Sequence, residues 1–305
     1  MSTPTLTAKA AGDFGAPPGA IPVLTARNVS IEYQVNPVVQ AVKDVSLTLH
    51  RGEILGLAGE SGCGKTTLAY GLNQLLKPPA LRTSGEIVLH DKDGDDIDVA
   101  ALSGDALRAG RRHKGSLGSQ GALLSLNPVS SIKAQLFDVF ATHRPGMSAK
   151  DKLERSRELL ELVGVDPNRL DSYAHELSGG MRQRVMIAMA LALQPQVMIM
   201  DEPTTALDVV VQRGILREIM RLREQFDFAV VFITHDLPLL LEISDRIAVM
   251  LRGEIVELNT AEEIYNAPAH EYTRRLLGSF PSLTGDRGGF VRSGEDTADS
   301  TGGVA

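Results

Sequence analysis

Cysteine occurs once, at Cys63, and tryptophan not at all in this chain of 305 residues. A single thiol excludes a disulfide framework, a Cys-rich zinc site and a cysteine-ligated iron–sulfur cluster within one chain, and it fits a reducing compartment. Basic residues are not in excess. The 31 Lys+Arg stand against 38 Asp+Glu, a net charge of −7, so no global field draws nucleic acid or anionic lipid, and such a partner would need a local patch. Long apolar runs are missing too. The longest, Val185 to Leu193, is far below the ~18 residues that suggest a membrane span. The first 26 residues carry only Lys9 and Asp13 as charges and no sustained apolar stretch, so they do not read as a signal peptide. A cytoplasmic location is expected. What remains is ordinary globular composition, 43% hydrophobic and 23% charged, enough to bury a core. The length suits one large domain, or one domain with an inserted subdomain and tails.

Residues 1–21 are rich in Ala, Gly, Pro and Thr without periodicity, and 284–305 are rich in Gly, Ser, Asp and Thr. Both read as disordered tails. Between them, short apolar runs alternate with longer amphipathic segments. Strands are expected at Ser46–Leu49, Glu53–Ala58 and Gly85–Leu89, the last as an edge strand. Val197–Met200 and Ala229–Ile233 are continuous apolar runs of the buried, parallel type. Ile247–Leu251, Arg252-Gly253 and Glu254–Val256 predict a hairpin. Helices are expected at Lys65–Leu76, Ala149–Leu162, Met181–Leu193, Val209–Glu224 and Ala261–Asn266. Strands alternating with helices make an α/β sheet protein. The stretch from Leu123 to Gly179 lacks strong strand runs and reads as a helical insertion.

Gly59-Glu60-Ser61-Gly62-Cys63-Gly64-Lys65-Thr66 fits G-x-x-x-x-G-K-[ST] without a mismatch, with an apolar strand before it and a helix after it. Glycines let backbone N–H groups converge on phosphate oxygens, and the helix N-terminus adds its partial positive charge. Lys65 should reach the β- and γ-phosphates, and the Thr66 hydroxyl should hold Mg²⁺. The assignment of phosphate-loop residues extends to Thr67. The bland alternative is a Gly-rich turn with a surface lysine. Downstream, Val197-Met198-Ile199-Met200-Asp201-Glu202 is an apolar strand ending in two carboxylates. It would deliver Asp201 to the metal and Glu202 to the attacking water. Read alone, it could be an acidic turn before Pro203.

Leu177-Ser178-Gly179-Gly180-Met181-Arg182-Gln183-Arg184 resembles the LSGGQ signature of ATP-binding cassette (ABC) proteins, with Met181 in the final position. Physically, Ser178 with two glycines ahead of a helix is a second anion-binding N-terminus, or simply a good helix cap. In the family it resembles, the signature of one subunit covers the γ-phosphate bound by the other, which implies that Ser178, Gly179 and Gly180 serve a partner's nucleotide. Other family marks fall in order. Tyr33 stands where the family places an aromatic that stacks on adenine, although a core-strand tyrosine would look the same. Ala206-Leu207-Asp208 looks like the dimer-contact loop, while Asp208 alone would cap the helix beginning at Val209. His235 in Thr234-His235-Asp236 looks like the switch histidine at the γ-phosphate. Gln120 matches the glutamine that joins core to helical insertion and ligates metal and water. Its lead-in, Lys114 to Ser119, is a poor strand with no aromatic.

The resemblance covers roughly Val23 to Leu283. It implies a P-loop NTPase core of ABC ATPase type, spanning 22–283, with an antiparallel β subdomain and an inserted α-helical subdomain at about 121–180. Val39 to Ser46, Ser125-Leu126-Asn127-Pro128 and His270 to Leu277 are similar to the dipeptide, oligopeptide and nickel importer subfamily. The cysteine cluster that relatives often carry beyond the last segment is absent. The resemblance implies an ATPase subunit of an importer, using ATP and Mg²⁺, at the cytoplasmic face of the membrane. Its partners would be a second ABC ATPase subunit, identical or different, two transmembrane permease subunits and an extracytoplasmic solute-binding protein. No nucleic acid is expected. The rival readings are an exporter cassette, a DNA- or ribosome-acting cassette and an inactive structural partner. The DNA and ribosome types call for cysteine-rich zinc modules, long heptads or two cassettes, none of which is here.

Overall fold

The computed structural model describes residues 15–90, 96–99, 117–119, 126–204 and 207–279. Among these residues ten strands form two sheets. The first holds β1 (Pro22–Tyr33), β2 (Val39–His50), β4 (Ala80–His90) and β5 (Asp96–Asp98), antiparallel in the order β2-β1-β4-β5. The second runs β10-β9-β3-β8-β7-β6, with β3 (Ile54–Ala58), β6 (Leu117–Ser119), β7 (Val197–Asp201), β8 (Ala229–Ile233), β9 (Arg246–Leu251) and β10 (Glu254–Thr260). Here β9, β3, β8, β7 and β6 are parallel neighbours and β10 closes the edge antiparallel to β9. An antiparallel sheet beside a parallel core with a helical insertion is the architecture that the sequence predicts.

The runs 197–200 and 229–233 are buried on both faces because both faces are covered. Met198, Met200, Val230, Phe232, Ile247 and Val249 pack into one core beneath the helices of the insertion. The alternate residues Val197, Ile199, Val231, Ile233 and Met250 pack into a second core. That second core also takes in α1 (Lys65–Leu72) and the antiparallel sheet. The insertion contains α2 (Ile132–His143) and α3 (Ala149–Leu162), followed by two 3₁₀ turns that lead to α4 (Gly179–Leu191). The core helices are α5 (Val209–Phe226), α6 (Leu237–Ile243), α7 (Ala261–Asn266) and α8 (Glu271–Gly278). Among the described residues no helix is long and apolar enough to cross a membrane.

Four expectations need correction. The strand at 85–89 is not an edge, because β4 lies between β1 and the short β5. Helix α1 stops at Leu72 rather than Leu76, as Gln74 enters the left-handed region at φ 55° and turns the chain away. The weak segment before Gln120 does form a strand, since Leu117, Gly118 and Ser119 pair in parallel with Val197, Met198 and Ile199. Backbone pairing with a strong neighbour supplies what the side chains lack. Part of the stretch expected as a tail is also held, with Ile21 O accepting from Arg51 N at 2.8 Å and Gly15 close against Asn259 and Thr260.

One buried polar network joins the two sheets. Arg246, at 1% exposure, donates from Nη1 to Glu53 Oε1 at 3.0 Å and to Thr48 O at 3.2 Å. The second Glu53 oxygen accepts from His50 N at 2.7 Å and lies 2.8 Å from His50 Nδ1. Removing one member of such a pair leaves the other buried without compensation. Arg246→Ala is therefore expected to lower unfolding stability by about 3–5 kcal/mol, read from urea denaturation midpoints. A loss under about 1 kcal/mol would show that the network is not needed to hold the sheets together.

Candidate functional site

The site lies at the carboxyl ends of β3, β7 and β8, where ligands of open α/β sheets bind. Register fixes it: Leu57 pairs with Ile233, and Ile233 with Asp201. The segments that leave the sheet just beyond these residues are therefore neighbours. From β3 comes the loop 59–64, and α1 begins at Lys65 with Gly64 as its N-cap at φ 110°. Gly59 (φ 144°) and Gly64 are required by packing as well as conformation. A Cβ on Gly59 would strike the Met250 carbonyl, and one on Gly64 the Ala41 carbonyl. Gly62 (φ 79°) faces open space. Glu60, Ser61, Gly62 and Thr66 form the exposed crest, with Cys63 and Lys65 buried below. The Lys65 ammonium donates to Gly59 O at 2.7 Å and Glu60 O at 2.9 Å, which ties the ring of the loop together. A glycine-rich turn into a helix N-terminus, with an ammonium beneath its crest, is chemistry that fits polyphosphate.

Asp201, at the end of β7, is half-buried. Burial pushes its carboxyl above the ordinary carboxylate range, reinforced by Glu202 and opposed by a hydrogen bond from Thr66 and the charge of Lys65. A hydroxyl and a carboxylate side by side are hard oxygen donors of the kind Mg²⁺ takes. Glu202 follows in the left-handed region, φ 50°, a conformation that costs a non-glycine residue energy and is found at functional sites. Its N–H donates to Ile233 O at 2.9 Å. The carboxylate is thereby turned to the next loop, where Oε1 accepts from His235 N at 3.1 Å and lies 2.9 Å from His235 Nδ1. Lys65, Thr66, Asp201, Glu202 and His235 are thus brought together, from three segments of chain.

Other expected residues stand apart from this group or have a visible local duty. Tyr33 Oη pairs with Thr67 Oγ1 at 3.1 Å, so Thr67 is packed under the loop and Tyr33 against α1. Ser178 caps α4 by accepting from Met181 N at 3.3 Å. Asp208 caps α5 by accepting from Val211 N at 2.9 Å. Both capping alternatives are therefore realised. The glycines after Ser178 are pressed by the start of α5. A Cβ on Gly179 would lie 3.3 Å from Leu207 Cδ2, and one on Gly180 would lie 2.7 Å from Val211 Cγ1. Helix α1 packs on β1, β2, β7 and β8, whereas α4 packs on α2, α3, α5 and β6, so the two helix N-termini rest on different sets of elements. Gln120 and Ala206 lie outside the described residues. Sequence reading missed contacts with the loop, among them Glu60 N donating to the Tyr272 hydroxyl at 3.1 Å and Gly253 N donating to Cys63 O at 2.9 Å. Residues so far apart along the chain leave no local pattern that announces them.

An α/β fold with a glycine-rich loop, an acidic strand end and a histidine beside it is thus in place. The comparisons narrow the class. Residues 42–205 match the family model for ABC transporter. The chain is 41% identical over 253 residues to the glutathione import ATP-binding protein GsiA of Salmonella typhimurium, covering 82% of this chain and 40% of that protein. It is 40% identical over 264 residues to the oligopeptide transport ATP-binding protein OppD of Lactococcus lactis subsp. cremoris, covering 85% and 76%. The chain thus spans about two fifths of the length of the glutathione import protein. A solved dimeric, post-hydrolysis structure of the ATP-binding cassette MJ0796 with ADP and Pi superposes with a TM-score of 0.67 at 28% identity, covering 78% of this chain and 98% of that one. The chain belongs to the ABC transporter family and has the fold of its ATP-binding cassettes.

The raised pKa of Asp201 has a stability consequence. A carboxyl that protonates more readily folded than unfolded costs the fold stability above its folded pKa, and the cost fades as pH falls through that value. Asp201→Asn should raise the melting temperature of the nucleotide-free chain near pH 7.5 by at most about 2 °C, since the half-exposed group is screened. The gain should vanish toward pH 4. Calorimetric scans across that range check it, and a lowered melting temperature at pH 7.5 would contradict it.

Proposed function

We propose that this chain is the ATP-hydrolysing nucleotide-binding subunit of an ABC importer, energising uptake of peptides or of a related solute such as an oligosaccharide or nickel. The observation that carries the hydrolysis is the convergence of the Lys65 loop, Asp201 and the Glu202–His235 pair at one sheet edge. The names of the relatives, import of glutathione and transport of oligopeptides, support the solute class. The cassette would occupy 22–283, flanked by 1–21, whose last residues lie against it, and by a tail at 284–305.

In this reading the amides of residues 61–66 and the Lys65 ammonium hold the phosphates, while the Thr66 hydroxyl and Asp201 hold Mg²⁺. Gln120 is assigned to metal and water by resemblance alone. Bound Mg²⁺ supplies charge neutralisation on the phosphate oxygens. Glu202, steered by its contacts with His235, accepts the proton of the attacking water. Tyr33, beside α1, is assigned to the adenine. Ser178, Gly179 and Gly180, at the start of a different helix from the one that Lys65 opens, are assigned to the nucleotide of a second ABC ATPase subunit, the same or another chain, with Asp208 at the contact. The dimeric MJ0796 cassette supports this arrangement. Two permease subunits would anchor the pair at the cytoplasmic face of the membrane, with an extracytoplasmic binding protein delivering solute and no part for nucleic acid.

Glu202→Gln is nearly isosteric but a far poorer base. It should leave ATP affinity unchanged and slow turnover by a factor on the order of 10²–10⁴, measured as phosphate release; wild-type turnover would remove Glu202 from the role of base. Ser178→Arg tests the two-subunit site. The single chain should bind ATP normally by calorimetry, while the assembled dimer loses hydrolysis. Loss of ATP binding by the single chain would place both helix N-termini on one nucleotide.

A further inference from the structure

Tyr272, at 5% exposure, carries the hydroxyl that receives the Glu60 N–H at 3.1 Å. Its helix is firmly seated. Glu257, buried on β10, accepts from Ala269 N at 2.7 Å and His270 N at 3.0 Å, just before α8 begins. His270 Nδ1 then accepts from Tyr272 N at 3.1 Å, and Arg274 Nη1 donates to the carbonyls of Pro268 and Ala269. These bonds fix the entry to α8, so the hydroxyl is offered from a rigid support. On the loop side, the Glu60 carbonyl accepts from the Lys65 ammonium at 2.9 Å. Glu60 is therefore pinned by its N–H to α8 and by its C=O to Cys63 N at 3.3 Å and to the lysine that is to meet phosphate. Burial pushes the Tyr272 phenol up. It therefore stays protonated at neutral pH and receives the Glu60 N–H as a neutral hydroxyl.

We propose that Tyr272 is a positioning residue of the phosphate loop: by taking the Glu60 N–H it fixes the first turn of the loop, so that the amides beyond it and the Lys65 ammonium are pre-set for nucleotide phosphates. The inference rests on the reading of 59–66 as the phosphate site. It makes nucleotide affinity depend on how α8 sits on β10, although α8 is 212 residues away from Glu60 along the chain. Preorganisation of this kind acts on binding and not on the bond-breaking step.

The test is Tyr272→Phe in the full chain, which removes one oxygen and keeps the ring in place. ATP affinity with Mg²⁺ is measured by calorimetry, steady-state hydrolysis by phosphate release, and amide exchange by mass spectrometry. Loss of one hydrogen bond of ordinary net strength should raise Kd and KM for ATP ~3- to 10-fold, with kcat at saturating ATP within about twofold of wild type. Exchange at the Glu60 amide should accelerate, while α8 and β10 keep their protection. Unchanged Kd and KM would overturn the inference. So would a fall in kcat with KM unchanged, or loss of protection throughout α8, which would make Tyr272 a packing residue only. Lys65→Ala separates the two levels. If Lys65→Ala fails to weaken ATP binding, the phosphate-site reading falls; if it does weaken binding and Tyr272→Phe is silent, only the role of Tyr272 falls.

Discussion

Parallel pairing of β3, β8 and β7 sets Leu57, Ile233 and Asp201 in line across the sheet, and each of the three loops that matter starts within two residues of that line. A shift of one residue in either pairing would turn the apolar side chains of a strand to the opposite face, away from the core that each alternate set fills. Such a shift is costly because both faces are covered. Met198, Met200, Val230 and Phe232 serve one core while Val197, Ile199, Val231 and Ile233 serve the other. Core packing thereby sets the separation of Lys65, Asp201 and Glu202. The chemistry inherits its geometry from side chains that take no part in it.

The antiparallel sheet must also be held at the right angle to this edge. Arg246 does so from within, reaching from β9 to Thr48 and Glu53 around the β2–β3 turn. A buried ion pair of this type contributes little net stability compared with apolar packing, yet it tolerates only one arrangement of its partners. Its effect here is to fix β2 against β9 at the strand that precedes the loop 59–64.

Much of this was legible from residue order. The loop 59–66, the acidic pair 201–202 and the buried runs 197–200 and 229–233 are short, contiguous patterns whose physical reason is local. The helices 149–162 and 261–266 were readable to the residue because Ser148 and Thr260 cap them. What escaped was non-local. Strand β6 exists because β7 offers it a partner, and no property of Leu117-Gly118-Ser119 says so. The place of β4 inside its sheet depends on a three-residue strand far too short to register as a pattern. Helix α1 ends early through a backbone turn at Gln74, which apolar periodicity does not encode. The contact of Tyr272 with Glu60 belongs to the same class, as does the pressure of Val211 on Gly180.

The approach of Val211 to Gly180 sets a limit on what can stand at the start of α4. A Cβ at position 180 would come within 2.7 Å of Val211 Cγ1, closer than carbon atoms tolerate, so any side chain there would have to displace one of the two helices. The missing side chain is thus a spacing device: it sets how near the N-terminus of α4 can lie to α5.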